Sequence, residues 1–179
     1  NGIIENHEQL RAMLEGRGCV FVSQTDTEVI AHLLNVLDEG NMAVTLRRAA
    51  AMLRGSYALC VLTAREPGRL FCTRLDSPLV VGLSPAAQYV ASDIPALIAH
   101  TREVLLLEDQ DVAILTAEGV RVQDVFGREK AFAPKHVDWD VAAAEKGGYA
   151  HFMLKEIHEE PEALRKTFLA HAEGDALRA

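Results

Sequence analysis

The feature that most constrains this chain is a change of hydrophobic period near residue 55. Before it, apolar residues recur at helical spacing; after it, they alternate. Leu10, Met13 and Leu14 stand at i, i+3 and i+4, which predicts a helix over 7–15 ended by Gly16 and Gly18. Val29, Ile30, Leu33, Leu34 and Leu37 make one stripe, which predicts a second helix behind the polar turn at 23–28, stopped by Gly40. Thr25 with Glu28 three residues on has the capping-box pattern. A third helix is expected over 43–53, with Leu46, Ala50 and Leu53 inward and Gly55 as its C-terminal glycine. Between the first two helices, Cys19–Val22 reads as β-like.

From Tyr57 the period is two. Strands are expected at 57–63, 69–73, 78–82 and 88–92, separated by Pro and Gly signals such as Glu66-Pro67-Gly68. A helical turn follows at 95–99, then three strands of a meander at 104–107, 111–115 and 120–125. Residues 127–148 carry few signals, and a last helical stretch begins at Tyr149 and runs past Pro161. Helices, then a run of strands, then a helix predict an α+β fold rather than alternating βαβ units.

Composition narrows the function. The 179 residues are 49% hydrophobic and 25% charged, which excludes whole-chain disorder, and the net charge of −8 argues against a non-specific nucleic-acid binder. No apolar run approaches the roughly 18 to 20 residues of a membrane span. Three cysteines with no Cys-x-x-Cys spacing and no targeting segment read as reduced thiols of a cytoplasmic protein. Cys19 and Cys60 lie in apolar runs and are expected to be buried. His151 and His158 are not at the i, i+4 spacing of a zinc helix, so no metal is expected. No Gly-rich phosphate loop is present, and no cofactor is expected.

Two short motifs admit chemistry. Asn1-Gly2 offers a side-chain NH2 beside a backbone N–H that no Cβ shields, the donors an oxyanion needs. Taken alone, the same dipeptide reads as a commonplace tight turn. Asp26, at the expected start of the second helix, can hold the ammonium of an amino acid or simply complement the helix dipole. Asp26 and Glu28 together can divide the roles of ligand contact and cap.

Three segments carry a resemblance: 1–8 (Asn1-Gly2-Ile3-Ile4-Glu5-Asn6-His7-Glu8), 21–30 (from Phe21-Val22-Ser23 through Asp26 to Ile30) and 148–161 (from Gly148-Tyr149-Ala150-His151 to Pro161). With Leu53–Ala58, Ser77–Val80 and Ala91–Asp93 they are collinear over most of the chain. The first two resemble class II glutamine amidotransferases in general. The third resembles the isomerising glutamine–fructose-6-phosphate aminotransferase family, where it leads from a glutaminase domain to a sugar-isomerase domain.

The resemblance implies an N-terminal-nucleophile hydrolase-type αββα sandwich of two antiparallel sheets, incomplete at its N-terminus. It divides the chain into the C-terminal part of a glutaminase domain, 1–148, and a linker segment, 149–179. It assigns Asn1 and Gly2 to the oxyanion hole, and Gly2 and Asp26 to substrate binding. It implies L-glutamine as substrate, fructose 6-phosphate as acceptor on the isomerase domain, and a homo-oligomeric parent. Gln24 and Glu160 depart from the family's usual Glu and Gln, and neither position is catalytic; Arg74 reads as structural. The alternatives are another class II amidotransferase, such as amidophosphoribosyltransferase or asparagine synthetase, against which segment 148–161 argues, and a non-catalytic interaction or regulatory domain that keeps the fold.

Such enzymes attack glutamine with the thiol of a first-residue cysteine, and their own α-amine is the base. This chain opens on Asn1 and closes on Ala179, and both ends read as cuts through a longer polypeptide. None of Cys19, Cys60 and Cys72 can stand in for that nucleophile. The 179-residue polypeptide by itself is therefore expected to release no glutamate from glutamine. An assay showing release above a buffer blank would contradict this.

Overall fold

The computed structural model describes residues 1–138 and 147–172. They fall into two compact units, Asn1–Val137 and Asp138–Ala179. The expected boundary at 148/149 lies inside the second unit.

In the first unit a short strand β1 (Gly2–Ile4) precedes helices α1 (His7–Glu15), α2 (Asp26–Leu37) and α3 (Met42–Ala50). Strands β2 (Gly55–Val61), β3 (Leu70–Leu75), β4 (Val80–Leu83) and β5 (Gln88–Ala91) follow, then a 3-10 turn at Ile94–Ala96. The unit closes with β6 (Glu103–Leu106), β7 (Val112–Thr116), β8 (Gly119–Gln123), β9 (Glu129–Lys130) and β10 (Lys135–His136). Two antiparallel sheets result, ordered β1-β2-β3-β7-β8-β9 and β10-β6-β4-β5.

Alternation along β2, β3 and β7 splits their side chains between two cores. Tyr57, Leu59, Phe71, Val112 and Ile114 meet Leu14, Leu33, Leu46 and the rest of the helical stripes on one face. Ala58, Cys72, Ala113 and Leu115 meet Val81, Leu105 and Leu107 of the second sheet on the other. The layers of the unit thus run helices, six-stranded sheet, four-stranded sheet. A fully buried Leu or Phe at these positions contributes about 1.5–3 kcal/mol, so both faces of the central sheet are strongly specified.

Several sequence expectations are corrected. Cys19–Val22 is not a strand; the segment crosses irregularly to α2. The third helix ends at Ala50 with Ala51 as its cap, and Gly55 begins β2 instead of capping the helix. The reason is the close approach of β1. Gly55 adopts φ +106, and a Cβ there would sit 2.2 Å from the carbonyl oxygen of Ile3. The expected three-strand meander is also split. Strand β6 joins the second sheet between β4 and β10, while β7 and β8 continue to β9 in the first. Cys60 is exposed, because β1 covers β2 only as far as Ala58.

In the second unit α4 spans Phe152–Ala172 with Pro161 inside it, where the missing N–H breaks one helical bond. Glu156, Glu159 and Glu160 are exposed. No helix among the described residues is long and apolar enough to cross a membrane.

Candidate active site

The site is built on β1. Asn1 and Ala58 exchange both backbone hydrogen bonds, with Ala58 N–H donating to Asn1 O at 3.0 Å and Asn1 N donating to Ala58 O at 3.1 Å. Asn1 and Gly2 therefore lie in the ladder with β2, and the tight-turn reading of this dipeptide does not hold. Because ladder bonds alternate, the N–H groups of Gly2 and Ile4 point away from β2 to the open edge. Only glycine fits at the second position. Its φ is +100, and a Cβ would lie 2.0 Å from the carbonyl oxygen of Ser56.

Ile4 N–H has a partner at that edge: it donates to Asp26 Oδ2 at 2.8 Å. Asp26 is the first residue of α2, so its carboxylate also lies where the helix dipole favours negative charge. The Asp26 carboxylate and the Gly2 N–H thus share one edge of β1. Among the described residues, Asp26 Oδ1 has a long contact, 3.4 Å, from Thr27 Oγ1.

The Asn1 side chain goes elsewhere. Its Nδ2 donates to Ser92 Oγ, at the end of β5 in the second sheet. Around this contact lies a cleft of about 370 Å³ between the sheets. Asn1, Thr27 and Ser92 give its polar groups, Leu79 and Val90 its apolar wall, and Cys60 its rim. Asp26 is not on this lining, although its neighbour Thr27 is. Nothing in the sequence marks Ser92 as a contact of Asn1 beyond its place in the Ala91-Ser92-Asp93 segment. Arg74 is structural, as expected: it donates to the carbonyls of Ser77 and Leu107 and pairs with Asp109 at 2.8 Å.

Asp26 and Glu28 bind different parts of the chain, Asp26 the Ile4 amide and Glu28 the 22–23 segment, and the expected capping box does not form. Thr25 is the N-cap without a side-chain cap bond. Glu28 reaches past it and accepts from the N–H groups of Val22 and Ser23, both at 2.7 Å, and from the Ser23 hydroxyl. The carboxylate folds the 22–23 segment onto α2. The Ser23 hydroxyl and the Val22 amide hold its pKa down at about 2, against a smaller opposing effect of desolvation.

Among solved structures, the chain is similar to the glutamine phosphoribosylpyrophosphate amidotransferase of B. subtilis. The TM-score is 0.62 and the identity 27%, over 70% of this chain and 28% of that one. A structure described as the allosteric regulatory enzyme of purine biosynthesis matches at TM-score 0.61 and 27% identity, over 70% of this chain and 27% of that one. The fold is that of the class II glutamine amidotransferases, an N-terminal-nucleophile hydrolase sandwich of two antiparallel sheets.

The family model described as glutamine amidotransferase domain matches residues 1–99. The chain belongs to that family. It is 51% identical over 167 residues to a protein of Symbiobacterium thermophilum named glutamine–fructose-6-phosphate aminotransferase (isomerizing), across 93% of this chain and 27% of the relative. A protein of the same name in Methanosarcina acetivorans is 44% identical over 187 residues, across 98% of this chain and 30% of the relative. The chain thus spans under a third of the length of these curated relatives.

The Glu28 contacts predict a pH dependence. A carboxyl whose folded pKa lies below its unfolded value stabilises the fold above the unfolded pKa, near 4.5, and that contribution is lost as pH falls toward about 2. Glu28→Gln should lower the thermal midpoint at pH 7 and reduce its fall between pH 5 and 2. Parallel wild-type and variant melting curves across that range would refute this role.

Proposed function

We propose that this chain is part of the glutamine-hydrolysing domain of an isomerising glutamine–fructose-6-phosphate aminotransferase. The whole protein would take ammonia from L-glutamine and deliver it to fructose 6-phosphate on a sugar-isomerase domain, giving glucosamine 6-phosphate and glutamate. The similarity over 93% of the chain to proteins of that name supports the choice within the class. Segment 149–179 is read as the linker toward the isomerase domain, on its resemblance alone. A cytoplasmic setting and a homo-oligomeric parent are carried from the same resemblance.

The observation that carries the reading is the shared edge of β1. Gly2 N–H and the Asp26 carboxylate, which grips Ile4 N–H, are two residues apart on one edge, about 7 Å by strand rise. That separation suits a glutamine molecule lying along the edge. Its α-ammonium meets Asp26, and its side-chain carbonyl meets Gly2 N–H.

A cysteine thiolate supplied ahead of this chain attacks the amide carbon. The carbonyl π pair moves to oxygen, and Gly2 N–H and Asn1 Nδ2–H receive the developing charge. Collapse expels the amide nitrogen as ammonia, its added proton delivered by the protonated α-amine of that cysteine, and leaves a thioester, which water hydrolyses to glutamate and the free thiol. For this role Asn1 Nδ2 must exchange Ser92 Oγ for the oxyanion. Ser92 thus orients the Asn1 amide and gives it up to the oxyanion.

The test separates Asp26's charge from its strap to Ile4. Asp26→Asn keeps an oxygen for the Ile4 amide and removes the charge. In the whole protein it should raise KM for glutamine about ten- to a hundredfold, the cost of one charge-assisted bond, with kcat changed far less. Synthesis driven by free ammonia should be spared. A lowered thermal midpoint with unchanged KM would return Asp26 to a purely structural role.

A further inference from the structure

Cys60 on β2 and Cys72 on β3 face each other in register, with their sulfurs 3.6 Å apart. Ala58 spends its ladder bonds on Asn1, so Cys60, two residues on, likewise turns its N–H and C=O away from β3. The two cysteines are therefore a non-hydrogen-bonded cross-strand pair. Such pairs have Cα atoms about 4.5 Å apart, inside the roughly 4.4–6.8 Å that a disulfide spans. Their environments differ sharply. Cys72 is 0% exposed in the core between the sheets, whereas Cys60 is exposed on the rim of the cleft.

We propose that Cys60 and Cys72 form a peroxide-responsive thiol pair, in which Cys60 is the attacking sulfur and Cys72 the resolving one. Cys60 thiolate attacks one oxygen of a hydroperoxide; the O–O bond breaks, the other oxygen leaves as water or alcohol, and Cys60 becomes a sulfenic acid. Cys72 sulfur then attacks Cys60 sulfur. The S–O bond breaks, the hydroxyl leaves as water with the Cys72 proton, and the disulfide forms. In sum, two thiols are oxidised and one peroxide is reduced.

The asymmetry of the pair favours this order. The Cys72 thiol donates its hydrogen to Cys60 sulfur, which lowers the Cys60 pKa to about 7 against the effect of burial. The same bond, with its burial, pushes the Cys72 thiol up and keeps it protonated. A thiolate near neutral pH at an accessible rim is the reactive state; a protonated thiol behind it is protected from solvent oxidants. Cys19, in the segment between α1 and α2, has no cysteine opposite it and serves as the internal control.

The test is peroxide treatment of the reduced chain at pH 7, alkylation of remaining thiols, and tryptic mapping without reductant. The expected product is peptide Gly55–Arg65 joined to Leu70–Arg74 with loss of two hydrogens, in monomeric protein with Cys19 alkylated. Cys60→Ser should abolish the joined peptide. Cys72→Ala should slow Cys60 oxidation roughly tenfold, because the bond that favours its thiolate is gone, and leave a sulfenic acid that dimedone traps. Should Cys72→Ala fail to fold, the wild-type map and Cys60→Ser decide. Passage of Cys60 to sulfinic acid while Cys72 remains alkylatable would overturn the proposal. So would cross-linking only between separate chains.

Discussion

The pairing of β1 with β2 is the constraint on which the candidate site depends. Two glycines make it possible. Gly2 lies against the backbone of Ser56, and Gly55 against the backbone of Ile3, each at a positive φ that side chains rarely adopt. A methyl group at either place would meet a carbonyl oxygen at near-bonding distance. With both glycines present, the strands close to ladder distance and the register is fixed at Gly2 opposite Tyr57. Register in turn decides which amides face the open edge. A slip of one residue would turn Gly2 and Ile4 inward and present Asn1 and Ile3 instead.

Around that edge the charges are placed by helix α2. Asp26 and Glu28 both sit in its first turn, where the dipole favours them, yet they serve different parts of the chain. Asp26 ties the helix to β1 through Ile4; Glu28 gathers the amides of Val22 and Ser23. The irregular segment before α2 is thus held at both ends of the turn without a strand ladder. The helix itself is seated by Val29, Ile30, Leu33 and Leu34 in the core it shares with Phe71 and Val112. The Asp26 carboxylate at the edge is therefore positioned by packing on the far side of the sheet.

Much of this was legible in the sequence, and the misses have physical causes. The helical stripes of α1 and α2 and the alternation of β2, β3 and β7 were strong because each buries one face. Cys19–Val22 has strand composition but no partner strand, and composition alone cannot supply one. Gly55 reads as a helix stop because Gly so often is one; its actual duty, facing Ile3, depends on a strand fifty residues away. Cys60 was expected inside because its neighbours are apolar. Alternation does turn it to the inner face beside Cys72, but it lies past the last residue β1 covers. The fold class, and the glutamine amidotransferase family, followed from collinear motifs. The Asn1–Ser92 contact did not, because it joins two sheets through residues ninety apart and no periodicity marks it.

The facing glycines seat β1 and, through it, the edge that carries Gly2 N–H and the Asp26 carboxylate. Amide hydrogen exchange of Gly2→Ala beside wild type tests it most directly. Ile4 and Ala58 report on β1, because their amides donate to Asp26 and to Asn1. Cys72 and Ala113 report on the centre of the sheet, where β3 pairs with β7. Protection of Ile4 and Ala58 should fall at least about tenfold in the variant while the β3–β7 amides keep theirs, since the methyl's clash is local. Unchanged protection at Ile4 and Ala58 would show that β1 does not depend on the glycine contact, and would contradict the account.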